Sequence, residues 1–194
     1  MNEKDNYKER RRFWIDKSLT QTGYSINLFT SLSIAFVGYL VNQKDLLKKI
    51  VIDFDLKIDW VLIFFYSSLI FSVLGCMFGV YSVLSRLTDF RITRNIVKAK
   101  SKYFDNYNRK AKRIKTTKLK KGFSDFIMIS FLYDNDFNLD LIDDIEKFDQ
   151  RLKLLKERSD FLGKITWRYH KTQIIFIFLA VDFYAISEIL NTCI

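Results

Sequence analysis

Asp182 stands near the middle of "QIIFIFLAVDFYAISEIL", positions 173 to 190, with Glu188 close to the end of the same apolar stretch. A carboxylate at bilayer depth is costly, so its presence points to a task. Repeated around an axis in several copies, Asp182 would form a ring of acids lining a cation-conducting or water-filled path. Protonated, it would instead donate a hydrogen bond to a neighbouring span and fix helix register. The second is the plainer reading, because Phe178, Ala185, Ile186 and Ile189 share its helical face. No lysine or arginine lies inside any apolar stretch, so it can be satisfied only by polar partners such as Asn27, Ser31, Ser33, Ser68 or Ser72, by water in a cavity, or by protonation. Glu188 lies well around the helix and near enough to the boundary to reach water. Asp182, Asn27, Ser72 and Glu188 are the candidate pore or intramembrane polar residues.

Other reactive residue types give little. His170, the only histidine, sits in "WRYHKTQ" with no serine or cysteine placed beside it by the sequence. Cys76 and Cys193 have neither metal-ligand spacing nor a framework of pairs. There is no phosphate-binding glycine loop. The expectation is a protein that is not an enzyme and carries no metal or cofactor.

The strongest charge feature is a run from Arg91 to Lys121, with thirteen basic residues and one acid, Asp105. Arg109, Lys110, Lys112, Arg113, Lys115, Lys118, Lys120 and Lys121 are its candidate anion-binding residues. Three partners fit: the anionic leaflet of a membrane, the acidic segment Asp125 to Asp149 of the same or a neighbouring chain, and a nucleotide or nucleic acid. Tyr103, Phe104 and Tyr107 would supply stacking rings for the last of these.

The elements that position these residues follow from apolar blocks at 24–41, 60–83 and 172–190. Each is long enough for a helix to cross a hydrocarbon core about 30 Å thick. The 194 residues include no proline, so nothing in the chain forces a helix to stop. The fold class is therefore all-α, with three transmembrane helices and a helical cytosolic stalk continuous with the second and third. The expected divisions are a basic amphipathic tail (1–22), a transmembrane hairpin (23–84), the stalk (85–171) and the third span (172–194).

Orientation follows the lysines and arginines: six precede the first span, four lie in the connection around 43–58, and twenty-two lie within 86–171. The tail and the long segment should face the cytoplasm of an inner membrane, with the C-terminus on the opposite side. Arg10, Arg11, Arg12, Phe13 and Trp14 suit the headgroup layer at one boundary, and Trp167 and Arg168 do so at another.

In the second span Ser68, Ser72, Gly75, Gly79 and Ser82 place small side chains along one face, where another helix packs closely. That helix belongs either to another subunit or to another span of the same chain. Leu141, Ile145, Phe148, Leu152, Leu155, Ser159, Leu162, Thr166 and Tyr169 alternate spacings of four and three, a heptad seam that runs unbroken into the third span. The hydrophobic stretch 126–133 is too short to cross and is expected to be a buried cap of the stalk.

The layout resembles that of small prokaryotic SLATT-like membrane effectors of anti-phage defence, through "DKSLTQTGYSINLFTSLSIAFVGYL" entering the first span and "VLSRLTDFRITRNI" leaving the second. The third span, with its acid, departs from their two-span pattern. The resemblance implies an oligomer that breaches the membrane when a partner or second messenger signals infection. The leading expectation is an oligomeric effector that alters permeability. The alternative is a non-conducting anchor that recruits a soluble enzyme or nucleic acid through its basic region.

Overall fold

A computed structural model describes residues 3–43, 59–107, 122–131 and 145–193; for residues 3–12, 14, 15, 18, 101–107 and 145 it describes the backbone alone. Four helices make up this part of the chain: α1 (Glu3–Asn42), α2 (Trp60–Tyr107), α3 (Phe123–Ser130) and α4 (Ile145–Cys193). No strand occurs among the described residues. Helices α1, α2 and α4 are each long and apolar enough to cross a membrane.

Two of the helices are unusually long, 48 residues in α2 and 49 in α4. At 1.5 Å per residue each extends about 70 Å, more than twice the depth of a hydrocarbon core. The absence of proline permits this continuity. The start of α2 is fixed locally, because the Asp59 carboxylate accepts from the Val61 and Leu62 amides at 3.0 and 3.3 Å and so caps two donors that the first turn leaves unpaired.

The described chain forms two compact units, one of residues 1–80 with 169–194 and the other of residues 81–168. The first is a three-helix bundle of α1, the first part of α2 and the last part of α4. Its core contains Ile26, Leu40, Val61, Phe65, Ile177 and Ala180. Phe64, Phe71 and Phe78 on α2 interleave with Tyr169, Phe176 and Phe183 on α4, with ring centroids 5.2 to 5.9 Å apart. Both sets repeat every seven residues, so one aromatic seam runs the length of the contact.

Small residues let these helices approach. Ser68 donates to the Ala180 carbonyl at 2.6 Å and Ser187 to the Val61 carbonyl at 3.2 Å, which satisfies buried hydroxyls on backbone oxygens of the facing helix. A Cβ on Gly79 would lie 2.5 Å from Gln173 Nε2 and 2.6 Å from Thr30 Oγ1, so any larger residue would force those side chains to move. Gly75 is buried against Ile177 and Ser33. These members of the small-residue face therefore meet helices of their own chain.

In the second unit, Phe148, Leu152, Leu155, Leu162 and Thr166 are buried, along the heptad seam. Ser82 and Ser85 of α2 donate to the Thr166 and Leu162 carbonyls at 3.1 and 3.0 Å. Asp89 accepts from Ser159 at 2.5 Å, and burial raises its carboxyl above the ordinary value. Helix α3 differs from expectation. Phe126 and Ile129 are buried, but Phe123, Ile127, Met128 and Phe131 are exposed, because only one side of this short and nearly all-apolar helix meets the rest of the unit. It is a half-covered helix rather than a buried cap; residues 132 and 133 lie outside the described part.

Candidate intramembrane site

The polar residues of the three-helix bundle fall into two sets that face opposite ways. The inward set begins at His170, which is 3% exposed. Its Nε2 lies 3.0 Å from Ser25 Oγ and its Nδ1 lies 3.2 Å from Gln173 Oε1. Gln173, fully buried, donates through Nε2 to Thr30 Oγ1 at 2.9 Å, and Thr30 donates to the Ile26 carbonyl at 2.7 Å. Since the Gln173 amide nitrogen faces Thr30, its oxygen faces His170. Nδ1 is then the donor to Gln173, and Ser25 Oγ shares a hydrogen bond with Nε2.

The sequence places no serine beside His170, and the fold supplies Ser25 from 145 residues away. The connectivity matches a nucleophile, a base and an orienting group. The backbone amides around Ser25 lie within α1 and are committed to helix bonds, so they offer no oxyanion donors. The cluster instead ties α1 to α4 by a chain of satisfied polar groups, closed on its third side by Gly79.

The outward set is centred on Asp182. This residue is nine positions beyond Gln173, about two and a half turns, and so lies on the opposite side of α4 from the core. It is exposed, among the exposed Ile175, Phe178, Ala185, Ile186 and Ile189. Among the described residues, none of the partners expected within the chain meets it. Ser33 donates to the Phe29 carbonyl, Ser68 to Ala180 and Ser72 to the Ser33 carbonyl, while Asn27 and Ser31 are exposed on the outer face of α1. Helix rotation separates the acid from these serines within the chain: Ser33, Ser68 and Ser72 face the core and Asp182 faces away from it.

The Ser25–His170 and Tyr39–Tyr184 pairs both span 145 residues, so α1 and α4 run parallel in fixed register. Asp182 therefore lies level with residue 37 of α1. At that level the outward face of α1 carries Ala35 and Gly38, in a line with Asn27, Ser31 and Asn42, all exposed. A Cβ on Gly38 would meet nothing within 4 Å. Tyr24, Leu28, Leu32 and Ile34 are exposed on α1 beside this line, so it is a polar and small-residue stripe within a largely apolar surface. The exposed residues of α2 between 60 and 84 are all apolar. Ile63, Ile70, Val73, Met77, Val80 and Leu84 are exposed there, an apolar surface of the kind lipid accepts.

The remaining candidate residues are dispersed. Glu188 is half-buried one turn from Tyr184, whose hydroxyl it engages. Ser82 belongs to the second unit, where it bonds α4. Phe13 is exposed with Lys17 Nζ 5.7 Å from its ring centroid, and Trp167 and Arg168 are exposed. The side chains of Arg10, Arg11, Arg12 and Trp14 lie outside the described part, as do all of Arg109, Lys110, Lys112, Arg113, Lys115, Lys118, Lys120 and Lys121. Among the described residues no group of three or more histidine, cysteine, aspartate or glutamate side chains is placed to hold a metal ion. No family model, curated protein or solved structure matches this chain.

Proposed function

We propose that this chain is the protomer of an oligomeric inner-membrane effector that alters permeability when a cytosolic partner or anionic signal engages its basic region. This is the role the resemblance to SLATT-like defence effectors implies. The observation that carries the reading is the outward orientation of Asp182, which among the described residues meets none of the polar side chains of the bundle. Held against lipid, an aspartate costs about 2.5–3.5 kcal/mol at the centre of a span. Assembly removes that cost by covering the acid with another copy or by facing it to water.

The outward face of α1 fits this role in a second copy. Between the exposed Leu28, Leu32 and Ile34 it presents a line of Asn27, Ser31, Ala35, Gly38 and Asn42, small or hydrogen-bonding side chains that offer partners to a carboxyl. Because the acid is on α4 and the stripe on α1, the contact joins two different faces. Such a head-to-tail contact propagates around a ring and leaves the apolar face of α2 to the lipid. The excess of basic residues within 86–171 supports a cytosolic position for that segment.

Cysteine cross-linking tests the contact. Ser31 and Phe178 are exposed at levels two residues apart. With Cys76 and Cys193 replaced by alanine, Ser31→Cys combined with Phe178→Cys in one chain should give a ladder of cross-linked species ending in a closed ring, and neither change alone should give any. Dimers from Phe178→Cys alone, or no cross-links from the pair, would overturn the arrangement. Ion flux through liposomes containing the purified protein tests the permeability change itself.

A further inference from the structure

Helix α3 is covered on one side only. Phe123 and Phe126 pack on Tyr81, with ring centroids 5.5 and 6.1 Å apart, and Ile129 is buried. The other side leaves Phe131 76%, Met128 60% and Ile127 41% exposed, and Phe123 at its edge is 48% exposed, a dense apolar patch for an eight-residue helix. Only Ser124, Asp125 and Ser130 are polar within it, and the Asp125 carboxylate is turned back to accept from the Gly122 amide at 2.7 Å.

The level of this patch within its unit is fixed by two hydrogen bonds. Ser82 donates to the Thr166 carbonyl and Ser85 to the Leu162 carbonyl, so Tyr81 lies level with Trp167. Trp167 is 52% exposed, and the flanking Lys164 and Arg168 are also exposed. An exposed tryptophan between cationic side chains, where the apolar stretch of α2 gives way to charged sequence, marks a headgroup layer. Tyr81 itself is two residues from the end of the 60–83 apolar block.

We infer that α3 is a membrane-surface anchor, lying at the headgroup–acyl boundary of the bilayer that the spans cross, with Phe123, Ile127, Met128 and Phe131 inserted among the lipids. The occupant of the patch is lipid, because the patch sits beside the aromatic and basic belt and has the apolar composition that the acyl boundary accepts. Lys120 and Lys121, which precede Gly122 in sequence, supply positive charge next to an anionic leaflet.

The test uses the full chain in phosphatidylglycerol-containing nanodiscs, with Cys76 and Cys193 replaced by alanine and a nitroxide attached through Met128→Cys. Ile70→Cys on the apolar face of α2 and Val97→Cys farther along the same helix, both exposed, are the lipid and water references. The nitroxide at 128 should collide more with oxygen than with a water-soluble nickel chelate, as at 70, with the preference reversed at 97. Greater access to the nickel chelate at 128 would overturn the inference. Shielding from both reagents would overturn it too, since the patch would then be covered by protein.

Discussion

Replacing Asp182 with leucine distinguishes a lipid-facing acid from one that meets another copy, because the two situations respond with opposite sign. Against lipid, the substitution removes a cost of about 2.5–3.5 kcal/mol and adds about 0.3–0.6 kcal/mol of favourable insertion energy, leaving association between copies unchanged. If Asp182 meets the α1 stripe of a neighbour, leucine removes an interhelical hydrogen bond worth about 1–2 kcal/mol. Association then weakens about 5- to 30-fold per contact. The parallel register places Gly38 at the level of the acid, so a branched leucine also meets a surface shaped for close approach. The assay is energy transfer between donor- and acceptor-labelled chains diluted in lipid vesicles, with the label on the exposed Cys193 and Cys76 replaced by alanine. Wild type and Asp182→Asn, which keeps hydrogen-bonding capacity, should associate alike, and Asp182→Leu should dissociate at higher protein density. Equal or tighter association of the leucine variant would refute the reasoning.

Other outcomes follow from the same geometry. Gly79→Ala drives a methyl into Gln173 and Thr30 and should lower stability by about 1–3 kcal/mol, read as a fall in melting temperature in detergent. Gly163→Ala, where a Cβ meets nothing within 4 Å, should raise stability by up to about 1 kcal/mol through helix propensity. His170→Leu leaves Gln173 Oε1 without its donor in the core and should cost about 1–3 kcal/mol by the same measurement. At Asp89, burial raises the carboxyl most, Asp160 adds repulsion, and the Ser159 hydrogen bond partly offsets both. The folded state therefore holds this proton to higher pH than the unfolded chain. Stability should fall as pH rises above the ordinary value of 3.8 through the raised one, and Asp89→Asn should flatten that part of the profile.

Helix continuity was legible in the sequence because it rests on local features: no proline, apolar blocks of spanning length and an unbroken heptad from Phe148 to Thr166. The partners of Ser68, Ser72, Gly75 and Gly79 were not legible, since a small-residue face has the same pattern whether it meets its own chain or another. Ser25 and His170 lie 145 residues apart, and no local periodicity links them. The outward turn of Asp182 had a readable signal. Gln173, Ala180 and Ser187 repeat every seven residues along the core side of α4, and the acid is half a turn away from that line. The heptads of Phe64, Phe71 and Phe78 and of Tyr169, Phe176 and Phe183 were equally visible, but only the fold shows that they interleave. The exposed side of α3 depends on how much of a short helix its neighbours can cover, which composition does not determine.

The most direct measurement is ion flux through liposomes containing purified wild-type protein and Asp182→Asn at matched assembly. The expected result is flux from the wild type that changes in the variant while the oligomer persists, because the substitution keeps the contact and removes the ionisable group. Flux from the wild type that Asp182→Asn leaves unchanged would contradict a permeability role for the Asp182 face.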